Sequence, residues 1–72
     1  MTDEEVRKVE TYLRKTFRLD TIKLNRSARK DMCEVEIDGE FIGTLTSDED
    51  EGEISYNFAM AILDFDLEEA GL

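Results

Sequence analysis

The sequence predicts an α+β fold: one N-terminal helix, a four-stranded and mostly antiparallel sheet, and a C-terminal helix, in the order α-β-β-β-β-α. Three observations carry this prediction. A capping box opens a stretch of helically spaced apolar residues, later stretches alternate apolar with polar residues, and Asp38-Gly39 stands between two of these as a hairpin turn. With 72 residues there is room for one core only, so residues 1–72 are read as a single small domain.

The first helix begins at the box Thr2-x-x-Glu5, and Asp3, Glu4 and Glu5 sit where the positive end of a helix dipole favours acids. Val6, Val9, Leu13 and Phe17 follow at spacings of three, four and four, which predicts a helix over residues 3–17 with those four side chains against one sheet face. Arg7, Arg14 and Arg18 fall close together on the wheel, roughly 80–120° from Val6. Lys8 and Lys15 lie just beyond them.

Ile22 and Leu24 alternate around Lys23 and predict a short first strand. If it lies at the margin of the sheet, its edge could accept a partner strand, with Lys23 as protection. Residues 26–31 (Arg-Ser-Ala-Arg-Lys-Asp) have no apolar period and read as a basic connection.

Cys33, Val35 and Ile37 alternate with Glu34, Glu36 and Asp38, a half-buried strand that runs into Asp38-Gly39. Two registers are open. A two-residue turn pairs Ile37 with Glu40 and Val35 with Ile42, placing Phe41 and Leu45 on the face of Glu34 and Glu36. A bulged three-residue turn puts Phe41 and Leu45 on the face of Val35 instead. Phe41 to Thr46 is the third strand in either case, with Gly43 marking a bulge or a close backbone contact.

Ser47 to Glu53 reads as a polar, acidic turn, followed by a fourth strand at about residues 53–57 in which Ile54 and Tyr56 alternate with Ser55 and Asn57. From Phe58 the apolar density predicts a second helix, capped by Asn57 and stopped by Gly71. The alternation in Asp64-Phe65-Asp66-Leu67 and the acids Glu68 and Glu69 at the end argue instead for a strand over part of residues 58–69.

Charge is divided along the chain. The net charge is −10, from nineteen acids and nine bases with no His. All nine bases lie in residues 1–30, with five acids; residues 31–72 hold fourteen acids and no base. The simplest consequence is mutual neutralisation of two packed halves; the functional one is a binding face. Two candidate surfaces follow: an acidic one of Asp48, Glu49, Asp50, Glu51 and Glu53, and a basic one of Arg7, Arg14 and Arg18 with Lys8 and Lys15.

Other chemistry has little support in the residues. No His is present to activate a serine or Cys33, and Cys33 alternates with acids, as a small core residue on a half-buried strand would. A calcium loop starting at Asp48 fails at its fifth position, Gly52, and at its twelfth, Ala59, where a bidentate Glu belongs. No catalytic, cofactor-binding or metal-ligating residue is therefore assigned. The single cysteine excludes an internal disulfide, the N-terminus is acidic where a signal peptide is basic, and no apolar run approaches a membrane span, so a cytoplasmic protein is expected.

The expected function is that of a non-enzymatic protein-interaction module using an acidic hairpin and C-terminal surface, with another protein as partner. The alternative is a nucleic-acid-binding protein using the basic face of the first helix. It is disfavoured because the chain is acidic overall and residues 57–72 carry no base to meet phosphates. No membrane partner is expected, and the chain is read as a monomer or a homodimer that completes a small core.

Four stretches taken together carry a family likeness: Glu40-Phe41-Ile42-Gly43, the acidic turn ending in Gly52, residues 54–64 (Ile-Ser-Tyr-Asn-Phe-Ala-Met-Ala-Ile-Leu-Asp), and residues 12–17 (Tyr-Leu-Arg-Lys-Thr-Phe). Over about residues 4–69 the chain resembles a family of short bacterial proteins known only as a domain of unknown function. The resemblance implies a bacterial cytosolic protein and brings no catalytic residues with it.

Overall fold

The computed structural model describes all residues, Met1–Leu72. Helix α1 spans Asp3–Phe17. Its capping box is closed in both directions: the Glu5 N–H donates to Thr2 Oγ1 at 3.1 Å and the Thr2 N–H donates to Glu5 Oε1 at 2.9 Å. The helix stops at Arg18, which adopts a left-handed conformation at φ 54° and donates its N–H back to the Arg14 carbonyl.

Four strands follow as a meander, β1 (Ile22–Arg26), β2 (Met32–Ile37), β3 (Glu40–Asp50) and β4 (Glu53–Ala59), in spatial order β1-β2-β3-β4 with every neighbouring pair antiparallel. Helix α1 crosses one face. Its Leu13 and the strand residues Ile22, Leu24, Cys33, Val35 and Leu45 form the buried core, with Val6, Val9, Ile42 and Phe58 packed around it. The opposite face carries Lys23, Glu34, Glu36, Thr44 and Thr46 and is open to water. Phe17 departs from expectation. It is 53% exposed and stands edge-to-face with the Phe58 ring at a centroid distance of 6.4 Å.

Neither of the two expected hairpin registers is adopted whole. Asp38 and Gly39 form a two-residue turn with φ of 53° and 80°, and Ile37 pairs with Glu40 and Glu36 with Phe41. Ile42 is then an extra residue: Val35 pairs with Gly43 and Cys33 with Leu45. The bulge reverses the alternation between Phe41 and Leu45, so Leu45 enters the core and Phe41 stays on the solvent face. Gly43 is needed beside it because a Cβ there would stand 2.3 Å from the Ala59 carbonyl oxygen.

The acidic stretch is a strand where a turn was expected. β3 continues to Asp50, and only Glu51 and Gly52, at φ 51° and 84°, make the turn. A two-residue turn with both residues left-handed continues the strand twist without splaying, so the acids pair as Asp48 with Ser55 and Asp50 with Glu53.

The second helix is also shorter than expected. Phe58 pairs with Leu45 and Ala59 with Thr44, so the backbone at 58 and 59 belongs to the sheet ladder and Asn57 caps no helix. Helix α2 spans only Asp64–Glu69. Asp66 accepts a hydrogen bond from the Leu63 N–H at 2.9 Å. Gly71, at φ 79°, ends it with hydrogen bonds from Gly71 to the Glu68 carbonyl and from Leu72 to the Leu67 carbonyl, a Schellman closure. This helix packs against no other element. The molecule is elongated, 44 × 22 × 22 Å, with a radius of gyration of 13.5 Å against about 11 Å for a compact chain of this length.

Candidate interaction surfaces

The outer edge of β1 is closed by α1. Glu10, on the β1 side of the helix, accepts a hydrogen bond from the Leu24 N–H at 2.9 Å, and Arg14 Nε donates to the Ile22 carbonyl at 2.7 Å. The two side chains also face each other at 3.3 Å. Backbone groups that a partner strand would use are thus occupied by a Glu–Arg pair one helical turn apart, which overturns the reading of Ile22 to Leu24 as an open edge.

The same contacts divide the basic surface. Arg14 is held against the sheet, Lys8 pairs with Glu4 at 3.3 Å, and Arg26 and Arg29 pair with Asp3 and Asp31. Arg26 also donates to the Met1 carbonyl, and the terminal ammonium reaches the Lys30 carbonyl, so the basic connection fastens the N-terminus. Arg7, Lys15 and Arg18 make no ion pair. Arg7 and Arg18 stand eleven positions apart, or about 16 Å along the axis.

The acidic candidates lie at the tip of the β3–β4 hairpin. Strand alternation sends Asp48, Asp50 and Glu53 to the open sheet face and Glu49 to the helix face, with Glu51 in the turn. No three acidic or cysteine side chains converge into a group that could hold a metal ion. The C-terminal segment, expected to share one surface with this tip, leaves the other end of β4. Seven strand residues, about 20 Å, separate them.

Sequence reasoning did not identify the apolar surface on the β4 side. Tyr12, Ile54, Tyr56 and Phe58, with Val9 and Leu13 at the floor, line an open groove of 550 Å³ between α1 and β4. Tyr12 is 66% exposed and Ile54 55%. At the groove's end the Tyr56 hydroxyl donates to Glu5 Oε2 at 2.7 Å. The Thr2 backbone and the Tyr56 hydroxyl, both donating to the carboxylate, hold the Glu5 pKa below its ordinary value. The same bond raises that of Tyr56, because it favours the protonated phenol. Beyond β4, Met60, Ile62, Leu63, Phe65 and Leu67 are exposed as well, and several of them line a second groove of 870 Å³ with Glu40 to Thr44. The alternation of Ile54, Tyr56 and Phe58 was legible in the sequence; that nothing covers their outer side was not.

Cys33 is a core residue. Burial raises its thiol pKa, and the positive charge of Arg26 acts in the opposite direction. The acids beside it in sequence, Glu34 and Glu36, point to the other sheet face.

A family model described as a protein of unknown function (DUF3126) matches residues 5–66. The chain belongs to the DUF3126 family. The matched residues take in α1 from its capping Glu5, all four strands and the start of α2, so the family pattern covers the closed β1 edge and the apolar β4 side alike. No curated protein and no solved structure matches the chain. No helix is long and apolar enough to cross a membrane.

Proposed function

We propose that this protein is a non-enzymatic interaction module of the bacterial cytoplasm that engages a basic protein partner through residues 60–72, with the acidic hairpin tip as a separate, second contact. One observation carries the reading. Met60, Ile62, Leu63, Phe65, Leu67 and Leu72 are exposed on a segment whose helix, α2, packs against no other element, and which forms one wall of an open groove with Glu40 to Thr44. Apolar side chains gathered in this way mark interaction sites, because leaving them in water forfeits about 25 cal/mol per Å² of burial. Asp64, Asp66, Glu68 and Glu69 alternate with them and no base lies among them, so the complementary surface is an apolar groove rimmed by Lys and Arg. A cytoplasmic setting is supported by the single thiol, which is buried and has no disulfide partner.

Nucleic acid is not favoured as the partner, because Arg14 is drawn into the sheet edge and Lys8 faces Glu4. The test is a pull-down from native lysate with the intact chain and with a variant carrying Phe65→Ala and Leu67→Ala. The reading expects a partner that the variant loses, that a synthetic peptide of residues 60–72 displaces, and whose retention weakens as salt rises. Partner lists unchanged by the substitutions and by the peptide would sink it.

A further inference from the structure

We propose that β4 is a homodimerisation edge, at which two copies pair their Glu53–Ala59 strands antiparallel about a two-fold axis through Tyr56 and join their sheets into one of eight strands. This goes beyond the partner reading above and does not rest on it.

The backbone is the first argument. The two-residue turn makes Asp50 and Glu53 a hydrogen-bonded pair, so Ser55, Asn57 and Ala59 also face β3, and Ile54, Tyr56 and Phe58 turn their N–H and C=O groups outward. β4 is the last strand of the sheet and no side chain meets those groups, whereas the β1 edge is closed by Glu10 and Arg14. Only one edge of this sheet is protected.

Self-complementarity is the second. The outward residues are symmetric about Tyr56, so antiparallel pairing sets Tyr56 opposite Tyr56 of the second copy and Ile54 opposite its Phe58. These side chains project to the helix face, where each groove between α1 and β4 lies open beside them. Pairing therefore covers Ile54, the apolar side chain left most exposed on that strand.

Charge selects the antiparallel arrangement. Glu5 meets Tyr56 and Phe17 meets Phe58, so α1 runs along β4 with its acidic start, Asp3 to Glu5, toward the acidic hairpin tip and with Lys15 and Arg18 at the far end. The two-fold brings the hairpin turn of one copy, with Glu51, to the end of the other where Lys15 and Arg18 stand, while Glu53 projects to the open sheet face. Residues 59–67 share their groove with Glu40 to Thr44, so the chain leaves β4 toward β3 and not across the outer edge.

Area agrees with a dimer. The chain exposes 5750 Å², against about 4,600 Å² for a monomeric protein of its 8.3 kDa.

Sedimentation velocity of the full chain from micromolar to millimolar concentration tests the proposal, together with Ile54→Lys and Tyr56→Cys. Wild type should dimerise, and Ile54→Lys should weaken the dimer by at least about tenfold, a loss of about 1.4 kcal/mol, with an unchanged circular dichroism spectrum. Tyr56→Cys should form a covalent dimer on mild oxidation, because paired residues of this kind stand about 5.5 Å apart at Cα. Wild type, whose one thiol is buried, should not. A wild type that stays monomeric throughout, a dimer indifferent to Ile54→Lys, or a Tyr56→Cys variant that fails to cross-link would each overturn it.

Discussion

Leu45 and Leu67 are the same residue type in two regions that obey different rules. Leu45 is 2% exposed in the row Cys33–Leu45–Phe58 beneath α1, where the helix covers the face and closes the β1 edge. Leu67 lies on a six-residue helix that touches no other element, beyond a strand whose outer edge is open. The first region is a finished domain in miniature, with its apolar side chains buried and its edge strand capped. The second is also rich in apolar residues, but they line an open groove with Glu40 to Thr44 and stay exposed. The chain thus has one side whose apolar residues are buried and one whose apolar residues face water.

The comparison can be broken at its strongest point first. Leu45→Ala should cost about 2–5 kcal/mol in urea denaturation, because the cavity opens at the centre of the row. For a chain of this length total stability is only about 4–11 kcal/mol, so the variant should lose a large share of it. Gly43→Ala should cost about 1–3 kcal/mol, and amide exchange should show the end of β4 loosened, since the new Cβ meets a backbone oxygen that cannot move without the strand. If Gly43→Ala is neutral, the two regions are less tightly joined at Thr44–Ala59 than described.

Glu10→Ala should cost about 1–2 kcal/mol by leaving the Leu24 N–H without its charged acceptor, and the Leu24 amide should exchange faster. Leu67→Ala should change stability by less than about 0.5 kcal/mol. A loss as large as that of Leu45→Ala would mean that α2 belongs to the core.

The smallest effect sharpens the boundary between the regions, where Glu5 of α1 meets Tyr56 of β4. Glu5 is depressed below its ordinary 4.5, so its contribution to stability is present above that pH and is lost as pH falls through the lower folded value. Tyr56 is raised above its ordinary 10.0, so its contribution is present below that pH and is lost as pH rises through the higher folded value. In Tyr56→Phe the Glu5 carboxyl should titrate at a higher pH in an NMR titration, still below the ordinary value because the Thr2 backbone bond remains. An unchanged midpoint would show that the two residues do not meet in solution.

What was legible in the sequence is what local rules decide. The capping box and the spacing of Val6, Val9 and Leu13 locate α1 to the residue, and Asp38-Gly39 locates the first hairpin, because these are signals between neighbours in the chain. Charge segregation was equally plain. Three things depended on distant residues. Leu45 reaches the core only because Ile42 bulges, and what selects the bulge is the demand that both Leu45 and Phe58 lie under the helix. Phe58 and Ala59 have helical neighbours in sequence but are claimed by β3, since a ladder hydrogen bond and a core contact outweigh propensity. Arg14, read as part of a basic face, serves the β1 edge because the chain folds Ile22 back beneath it. Sequence by itself thus determined the elements, their order and where charge resides. The tertiary structure alone decided which edge is closed and which is open, because an edge is defined by what lies beside it in space.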